Sequence, residues 1–374
     1  MAGQRILVTT PGSVPRTPEA ARLLQAGTAD PGALERGLAS VTAAAVAWQL
    51  RNGVDVISDG DVSRLSVTTA PGLGFTGPPV PFGLADLGAA GGPWPAAGPA
   101  AAAPSNTGKI TYDPAPAAAR ITRFQAALEQ ADGGPPAAAF LAVPSPGAVT
   151  LAGSSYYRTH EDFAAAAAAA LAREYRDITA AGLILQVDAP DLTLPYHAHW
   201  AGMSAEEFRA RARMHAELLN GALAGISPEQ VRLHVCWGSY PGPHHRDIPL
   251  AQIIDILLSV RAGVLVLAGA SPQHRADWRV LAGRKLPAGM MLAAGVIDTC
   301  TSGVEAPAAV ADALVQAAGA IGAGRLMAAT DCGFAPFGGA PALPAAVAEL
   351  KLRALRAGAG IASRRLWRGS RAAA

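Results

Sequence analysis

The chain has 374 residues, enough for one large domain or two ordinary ones with a substantial core. Although 51% of the residues are hydrophobic and only 16% are charged, alanine accounts for this, and every apolar run is shorter than the roughly 20 residues of a membrane helix. Thirty basic and 28 acidic side chains leave a net charge of +2 without a long basic block, which argues against nucleic acid as a partner.

The N-terminal sequence MAGQRILVTTPGSVPRT lacks a basic segment followed by an apolar stretch, so we expect no secretion signal and a cytoplasmic protein. Three cysteines are too few for a disulfide framework, and a reducing compartment keeps them as thiols that can bind a metal or react. The sequence does not indicate an oligomeric state.

Eight short segments rich in Val, Ile and Leu recur along the chain, and each ends in polar residues. They are 5–10, 54–61, 138–145, 183–190, 231–238, 263–269, 291–298 and 325–333. Apolar strands that alternate with helix-like sequence are typical of a parallel sheet covered by helices. Eight such units predict one (β/α)8 TIM barrel domain over residues 1–374, and a doubly wound open sheet is the alternative.

Alanine- and leucine-rich stretches with charges at helical spacing separate most of these segments, and Ser204 followed by Glu206 and Glu207 predicts a capped helix start. Residues 70–115 interrupt the alternation with so much Pro and Gly that regular helix is excluded. Because this insertion follows the second strand, we expect a lid over the barrel mouth, partly ordered and partly mobile. A plain flexible insertion is the alternative.

Polar residues at the strand ends are the first functional candidates, because barrel active sites are built at the carboxyl ends of the strands. In chain order these ends carry Asp59, Asp61, Asp188, Asp191, His234, Cys236, Asp298, Asp331 and Cys332. The set is rich in carboxylates and thiols.

His234 and Cys236 stand two residues apart on the fifth predicted strand, so both side chains point towards the barrel interior. An imidazole beside a thiol is half of a zinc site, and catalytic zinc commonly has three protein ligands and one open position. Cys332, at the end of the last strand, is the natural third ligand. A buried histidine bonded to the backbone beside an inert cysteine is the alternative.

Six segments carry a family resemblance: TTPGSVPRT, VDVISDGDVSR, LQVDAP, RLHVCWGSYPGPHHRDIPL, GVIDTCTSGVEAPAAVADAL and ATDCGF. Together they resemble the cobalamin-independent methionine synthase family, most closely its short single-barrel branch with the epoxyalkane:coenzyme M transferases. The resemblance covers nearly the whole chain except 86–106. It implies a TIM barrel whose zinc ion binds a small thiol as thiolate for alkyl or methyl transfer, similar to 5-methyltetrahydropteroyltriglutamate–homocysteine methyltransferase.

The resemblance also implies a set of zinc ligands, which are His234, Cys236 and Cys332. Zinc-binding relatives commonly add a glutamate in a stretch like LEAANPRHEHEW, but here the stretch reads LAGASPQHRADW, with Ala268 in place of that carboxylate. The site then has net charge zero instead of minus one, which makes a bound thiolate less nucleophilic. The fourth position falls to water, to the substrate, or to His274, His244 or Glu305.

Further roles follow from the matched segments. Asp188 is implied to lie near the thiol or to move protons. Asp59 and Asp61 lie in a segment where relatives usually have Gly-Glu, which makes Asp59 a substrate-binding candidate and Asp61 a shortened version of an acid that contacts substrate. The front motif, which lacks the histidine that many relatives place before Gly-Ser, supplies three substrate-binding candidates: Gly12, Ser13 and Arg16. Arg16 meets a substrate carboxylate or sulfonate, or else forms a salt bridge in the first loop.

The last candidates carry open alternatives. Asp298 is a catalytic candidate and Glu305 a substrate-binding one, with structural capping as the alternative for both. His244, in a loop where relatives have Pro-His, is assigned to substrate binding or to a solvated loop. His197 and His199 line the mouth or lie on the surface.

These patterns together predict a zinc-dependent thiol alkyl- or methyltransferase whose partners are a small thiol and an alkyl or methyl donor. Asp188 and Asp61 hold the amine of the thiol or move protons. Two rivals remain: another barrel chemistry, such as a carbon–sulfur lyase or ring-opening enzyme, and a thiol- or metal-binding protein without turnover.

Overall fold

The structure is a computed structural model. It describes residues 5–25, 30–64, 70–77, 79–81, 102–132, 134–196, 200, 202–239, 244–275, 277–335 and 343–367.

Eight parallel strands close into a barrel. They are β1 Leu7–Thr9, β2 Val56–Ser58, β5 Ala138–Pro144, β6 Ile184–Asp188, β7 Val231–Val235, β8 Val264–Leu267, β9 Met291–Gly295 and β10 Leu326–Ala329. Each strand pairs with its neighbours in the chain, and β1 pairs with β10 to close the ring. The predicted (β/α)8 TIM barrel is confirmed, since every predicted strand segment contains one of these strands.

Helices surround the barrel. In the described ranges they are α1 Pro18–Gln25, α2 Pro31–Arg51, α3 Ala115–Glu129, α4 Pro146–Thr150, α5 His160–Ala180, α6 Ala205–Ala222, α7 Leu250–Ser259, α8 Trp278–Leu281, α9 Pro307–Ile321 and α10 Ala345–Trp367. The predicted cap of α6 is present, because Ser204 and Glu207 each bond the backbone of the other in a capping box. None of the described helices is both long and apolar enough to cross a membrane.

The barrel interior is apolar below and polar towards the mouth. Small apolar side chains fill part of it, with Val264, Val266, Ala293 and Ala329 in one cluster. Arg232 is the strand partner of Val264, and its guanidinium lies 4.0 Å from the centroid of the Phe140 ring and donates to Thr9 Oγ1 at 3.0 Å. Burial lowers the pKa of Arg232 to about 9. A buried cation therefore lies inside the barrel, two residues before His234 on β7.

The insertion after β2 is only partly described. It contains a single turn of 3-10 helix at Pro71–Leu73 and a hairpin of two short strands, β3 Pro79–Pro81 and β4 Ala102–Pro104. The hairpin was not predicted, because Pro and Gly hide the strand pattern there. Much of the predicted lid, from 82 to 101, lies outside the described residues.

Candidate active site

Strand register places Asp188 and His234 side by side. The two residues are direct partners in the pairing of β6 with β7, and both are buried. His234 Nδ1 lies 3.0 Å from Asp188 Oδ1. A carboxylate on Nδ1 sets the ring orientation and leaves Nε2 as the atom that faces the mouth.

Two cysteines meet the free nitrogen of His234. Cys236 follows it by two residues, and Cys332 comes just after β10, so barrel closure brings the three together. Their ligand atoms all lie within 4.8 Å of one another, with Cys332 Sγ 4.0 Å from His234 Nε2. One imidazole nitrogen with an outer carboxylate and two thiol sulfurs is a donor set that fits zinc.

Hydrogen bonds among His234, Cys236 and Cys332 shift the pKa values of these side chains. A hydrogen bond from Cys332 and another from His234 lower the pKa of Cys236 well below its usual value. Burial acts to lower the pKa of His234, but its hydrogen bonds with Asp188 and Cys236 raise it to about 10. The group thus favours a thiolate beside a cation, the charge pattern that a metal ion replaces on binding.

Arg64 links the two carboxylates that were predicted to serve substrate. Its Nη2 donates to Asp61 Oδ2 at 3.0 Å and to Asp188 Oδ2 at 2.8 Å. All three side chains are at most 5% exposed. Asp61 has φ of 56°, and it is the one non-glycine with positive φ among the described residues. Aspartate tolerates this left-handed conformation, which turns its carboxylate towards Arg64.

Asp59 is directed elsewhere, although it is only two residues from Asp61. Its Oδ1 accepts from Arg120 Nη2 at 3.0 Å, and the pair is buried. Burial raises the pKa of Asp59, but the charge and hydrogen bonds of Arg120 outweigh it and lower the pKa below its usual value. Asp59 therefore sits in an internal ion pair and does not line the cavity at the metal-ligand group.

A narrow cavity opens beside His234, Cys236 and Cys332. Six predicted site residues line it, which are Ser13, Asp61, Asp188, His234, Cys236 and Cys332. The described residues that also line it are Pro11, Pro190, Leu194, Gly238, Ser239 and Gly333. Its walls are mostly apolar apart from these acids and thiols, as expected for a site that holds a small molecule beside a metal.

Of the three substrate-binding candidates in the front motif, Ser13 lines the cavity together with the neighbouring Pro11, whereas Gly12 and Arg16 are not among its lining residues. The Ser13 hydroxyl accepts from the Ala335 N–H at 3.1 Å, and the Gly12 carbonyl accepts from Ser58 Oγ at 3.0 Å. Arg16 Nη2 donates to the Arg64 carbonyl at 2.7 Å, while its Nε and Nη1 are buried with no hydrogen-bond partner in the described part of the chain. Arg16 therefore has unused donors close to the Asp61–Arg64 pair.

The other predicted residues lie away from this cavity. Asp298 accepts from the Cys300 N–H at 2.7 Å, and Glu305 pairs with the buried Lys351 at 3.1 Å. Both line a separate cavity. His244 bonds Asp247 in the loop after β7. His197 and His199 lie outside the described residues.

Two positions beyond β8 and β10 bear on the missing glutamate. Val264 and Val266 belong to the interior cluster, so strand alternation directs Ala268 inward as well, at the level of the mouth. Asp331 turns away, because its carboxylate accepts from the N–H groups of Gly269 and Ala270 at 2.9 Å. Burial raises the pKa of Asp331 to about 7.

Three polar residues around the site were not predicted from the sequence: Arg64, Gln186 and Arg232. Gln186 Nε2 donates to Asp188 Oδ1 at 2.9 Å, so Asp188 is held by three side chains on three elements. Gln186 lies two residues before Asp188 on the same strand, and that spacing is the one sequence signal that points to it.

Replacing Asp188 with asparagine is expected to weaken zinc binding by about 10- to 100-fold, because His234 loses the carboxylate that orients it. A competition titration against a chromophoric zinc chelator measures the change. The matched control is Asp59→Asn, which also neutralises a buried carboxylate paired with an arginine but lies outside the cavity. Equal losses of zinc affinity in both variants would contradict the orienting role.

Comparisons with known proteins identify the family of the chain. The family model described as "Cobalamin-independent synthase, Catalytic domain" matches residues 145–352, more than half of the chain. A search of curated proteins finds no significant relative.

Two solved structures share the fold. A B12-independent methionine synthase from Shewanella sp. W3-18-1, solved with selenomethionine, superposes with a TM-score of 0.73 at 20% identity, covering 97% of this chain and 99% of that one. A putative vitamin-B12 independent methionine synthase from Listeria monocytogenes gives a TM-score of 0.61 at 19% identity, with 95% and 98% covered. At this identity the likeness shows the barrel fold alone.

Proposed function

From the premise that this chain belongs to the cobalamin-independent synthase family, we propose that it is a zinc-dependent transferase that moves a methyl or other alkyl group onto a small thiol. The observation that carries the proposal is the group of His234, Cys236 and Cys332, with its ligand atoms within 4.8 Å at the barrel mouth. When bound there, zinc lowers the pKa of a coordinated thiol so that it is a nucleophile at neutral pH. The reduced cysteines that this requires fit the expected cytoplasmic location.

We assign Asp188 to the orientation of His234, because one of its oxygens already accepts from Nδ1. Its other oxygen and both oxygens of Asp61 accept from Arg64. The ammonium group of an amino-acid thiol must therefore compete with the buried guanidinium for these carboxylates. We assign to Arg64 the role of neutralising the negative charge beside the thiol and of keeping Asp188 ionised.

The two substrates to test are a small thiol and an alkyl donor. The Shewanella protein is named as a methionine synthase and was solved with selenomethionine, which makes homocysteine the first thiol to test. The resemblance of the sequence to the epoxyalkane:coenzyme M transferases makes 2-mercaptoethanesulfonate the second thiol to test. A methylated folate and a small epoxide represent the two classes of donor.

The test incubates zinc-loaded protein with each thiol and donor and follows thioether formation by mass spectrometry. We expect a thioether only when zinc, thiol and donor are all present, and none with Cys332→Ser. Consumption of a donor without a thiol would support lyase or ring-opening chemistry instead. Thiol binding by calorimetry without turnover of any donor would support a binding protein.

Restoring the missing carboxylate tests whether Ala268 defines a three-ligand site. Ala268→Glu is expected to raise zinc affinity by about tenfold or more, because the carboxylate adds a fourth ligand, and a negatively charged one, at the mouth. Ala268→Gln is the matched control, since it adds the same bulk without the charge and should give no gain. A gain with Gln equal to that with Glu would show that position 268 does not supply a ligand.

A further inference from the structure

A second group of metal-binding side chains lies outside the cavity already described. His244 and Asp247 follow β7, and His274 follows β8. Asp247 Oδ2 lies 2.9 Å from His244 Nδ1 and 2.8 Å from His274 Nε2. One ligand atom from each residue lies within 4.8 Å of the other two.

The second ring nitrogen of His274 bonds a carboxylate, as the second nitrogen of histidine ligands does in metal sites. Its Nδ1 lies 2.9 Å from Asp277 Oδ2, so the ring has a carboxylate behind it and points Nε2 into the group. This carboxylate–histidine arrangement fixes the tautomer of histidine ligands. The His274 ring also stacks on Trp237 with ring centroids 4.0 Å apart, which restricts its rotation.

Burial and charge also suit a cation. The side chains of His244, Asp247 and His274 are 10%, 5% and 7% exposed, so two carboxylates, counting Asp277, are placed in a largely dry environment. A divalent ion bound at this group would place two positive charges beside these two carboxylates.

We propose that His244, Asp247 and His274 form a second metal site for a divalent transition ion such as zinc, separate from the cysteine-containing group. Two imidazoles and one carboxylate select this class over calcium or magnesium, which prefer oxygen ligands. Bonds of about 2.0–2.1 Å in a tetrahedron place the ligand atoms about 3.3 Å apart. The two separations to Asp247 Oδ2, 2.9 and 2.8 Å, are a few tenths of an ångström shorter than this, and the ligand atoms of His244 and His274 lie within 4.8 Å of each other.

The site ties together two loops that flank the barrel mouth. Trp237, on which His274 stacks, directly follows Cys236, and its Nε1 donates to the Ile248 carbonyl at 2.8 Å. A metal on this group fixes the loop after β7 against the loop after β8. Its occupant therefore stabilises the segment that holds Cys236.

The test counts metal ions in tag-free protein after equilibration with zinc and dialysis. Wild type is expected to bind two ions per chain, Cys236→Ser/Cys332→Ser one, and His274→Gln one. The remaining ion of the cysteine variant, exchanged for cobalt(II), is expected to show ligand-field bands without sulfur charge-transfer absorption. Circular dichroism confirms that each variant is folded.

His215→Gln is the matched control. His215 also lies in a buried pair with a carboxylate, 3.0 Å from Asp191 Oδ2, but it belongs to neither metal-ligand group. The His215→Gln variant is expected to bind two metal ions per chain, as the wild type does. A folded Cys236→Ser/Cys332→Ser protein that binds no ion, or a His274→Gln protein that keeps the wild-type count, would overturn the second site. Because the count needs no substrate, it stands or falls independently of the proposed transferase activity.

Discussion

Replacing either Cys236 or Cys332 with serine is expected to remove one zinc ion per chain and to abolish thiol alkylation. A serine hydroxyl stays protonated at neutral pH, so a three-ligand site keeps only one thiolate and one imidazole. The loss of zinc affinity should exceed the 10- to 100-fold that removal of an outer partner costs. Metal content by plasma mass spectrometry and thioether formation are the two measurements.

The third cysteine provides the control. Cys300 lies 3.5 Å from Ser239 Oγ, outside the ligand group, and burial raises its pKa to about 12. Cys300→Ser should therefore keep both zinc and activity. A zinc content unchanged by Cys236→Ser or Cys332→Ser would contradict the proposed ligands.

Replacing Arg64 with methionine is expected to destabilise the fold by roughly 3–5 kcal/mol, because it leaves Asp61 and Asp188 buried without their shared cation. Urea unfolding measures the change in the free energy of unfolding. Arg209→Met is the control: its pair with Asp255 has similar distances, 2.8 and 3.0 Å, but lies on the surface and should contribute at most about 1 kcal/mol.

The loss in the free energy of unfolding caused by Arg64→Met should depend on pH. Burial raises the pKa of Asp188, but hydrogen bonds and charge from His234 and Arg64 outweigh it and lower the pKa below 3.8. A carboxylate whose pKa is lower in the folded than in the unfolded state stabilises the fold at pH values above its unfolded-state pKa. This stabilisation is lost as the pH falls through the folded-state pKa. The difference between wild type and variant should therefore be largest near neutral pH and shrink below about pH 4. A small difference that does not change with pH would contradict the assigned ion pair.

The features that were predictable from sequence are those with a local signal. Eight apolar segments with helix-like sequence between them predict the barrel, and a spacing of two places His234 and Cys236 on one face of β7. Cys332 required the additional expectation that the barrel closes, which the pairing of β1 with β10 bears out.

The features that were not predictable depend on contacts between distant segments. Arg64 reaches Asp188 across 124 positions of the chain, and nothing in the composition of either segment indicates that pair. Asp59 and Asp61 look equivalent in sequence, yet with positive φ at Gly60 and Asp61 their ion pairs differ. Asp59 pairs with Arg120, whereas Asp61 pairs closely with Arg64 and also accepts from Arg120 Nη2 at 3.3 Å. The His274 group likewise forms only because two loops meet.

The most direct test of the zinc–thiol site is X-ray absorption at the zinc edge, on His274→Gln protein loaded with one equivalent of zinc so that the second group does not compete, before and after addition of homocysteine or 2-mercaptoethanesulfonate. Two protein thiolates predict two sulfur neighbours at about 2.3 Å in the protein alone. A third sulfur on addition of one of these thiols would show that the metal receives the thiol. Zinc without sulfur neighbours, or a sulfur count that stays at two with both thiols, would contradict the proposed chemistry.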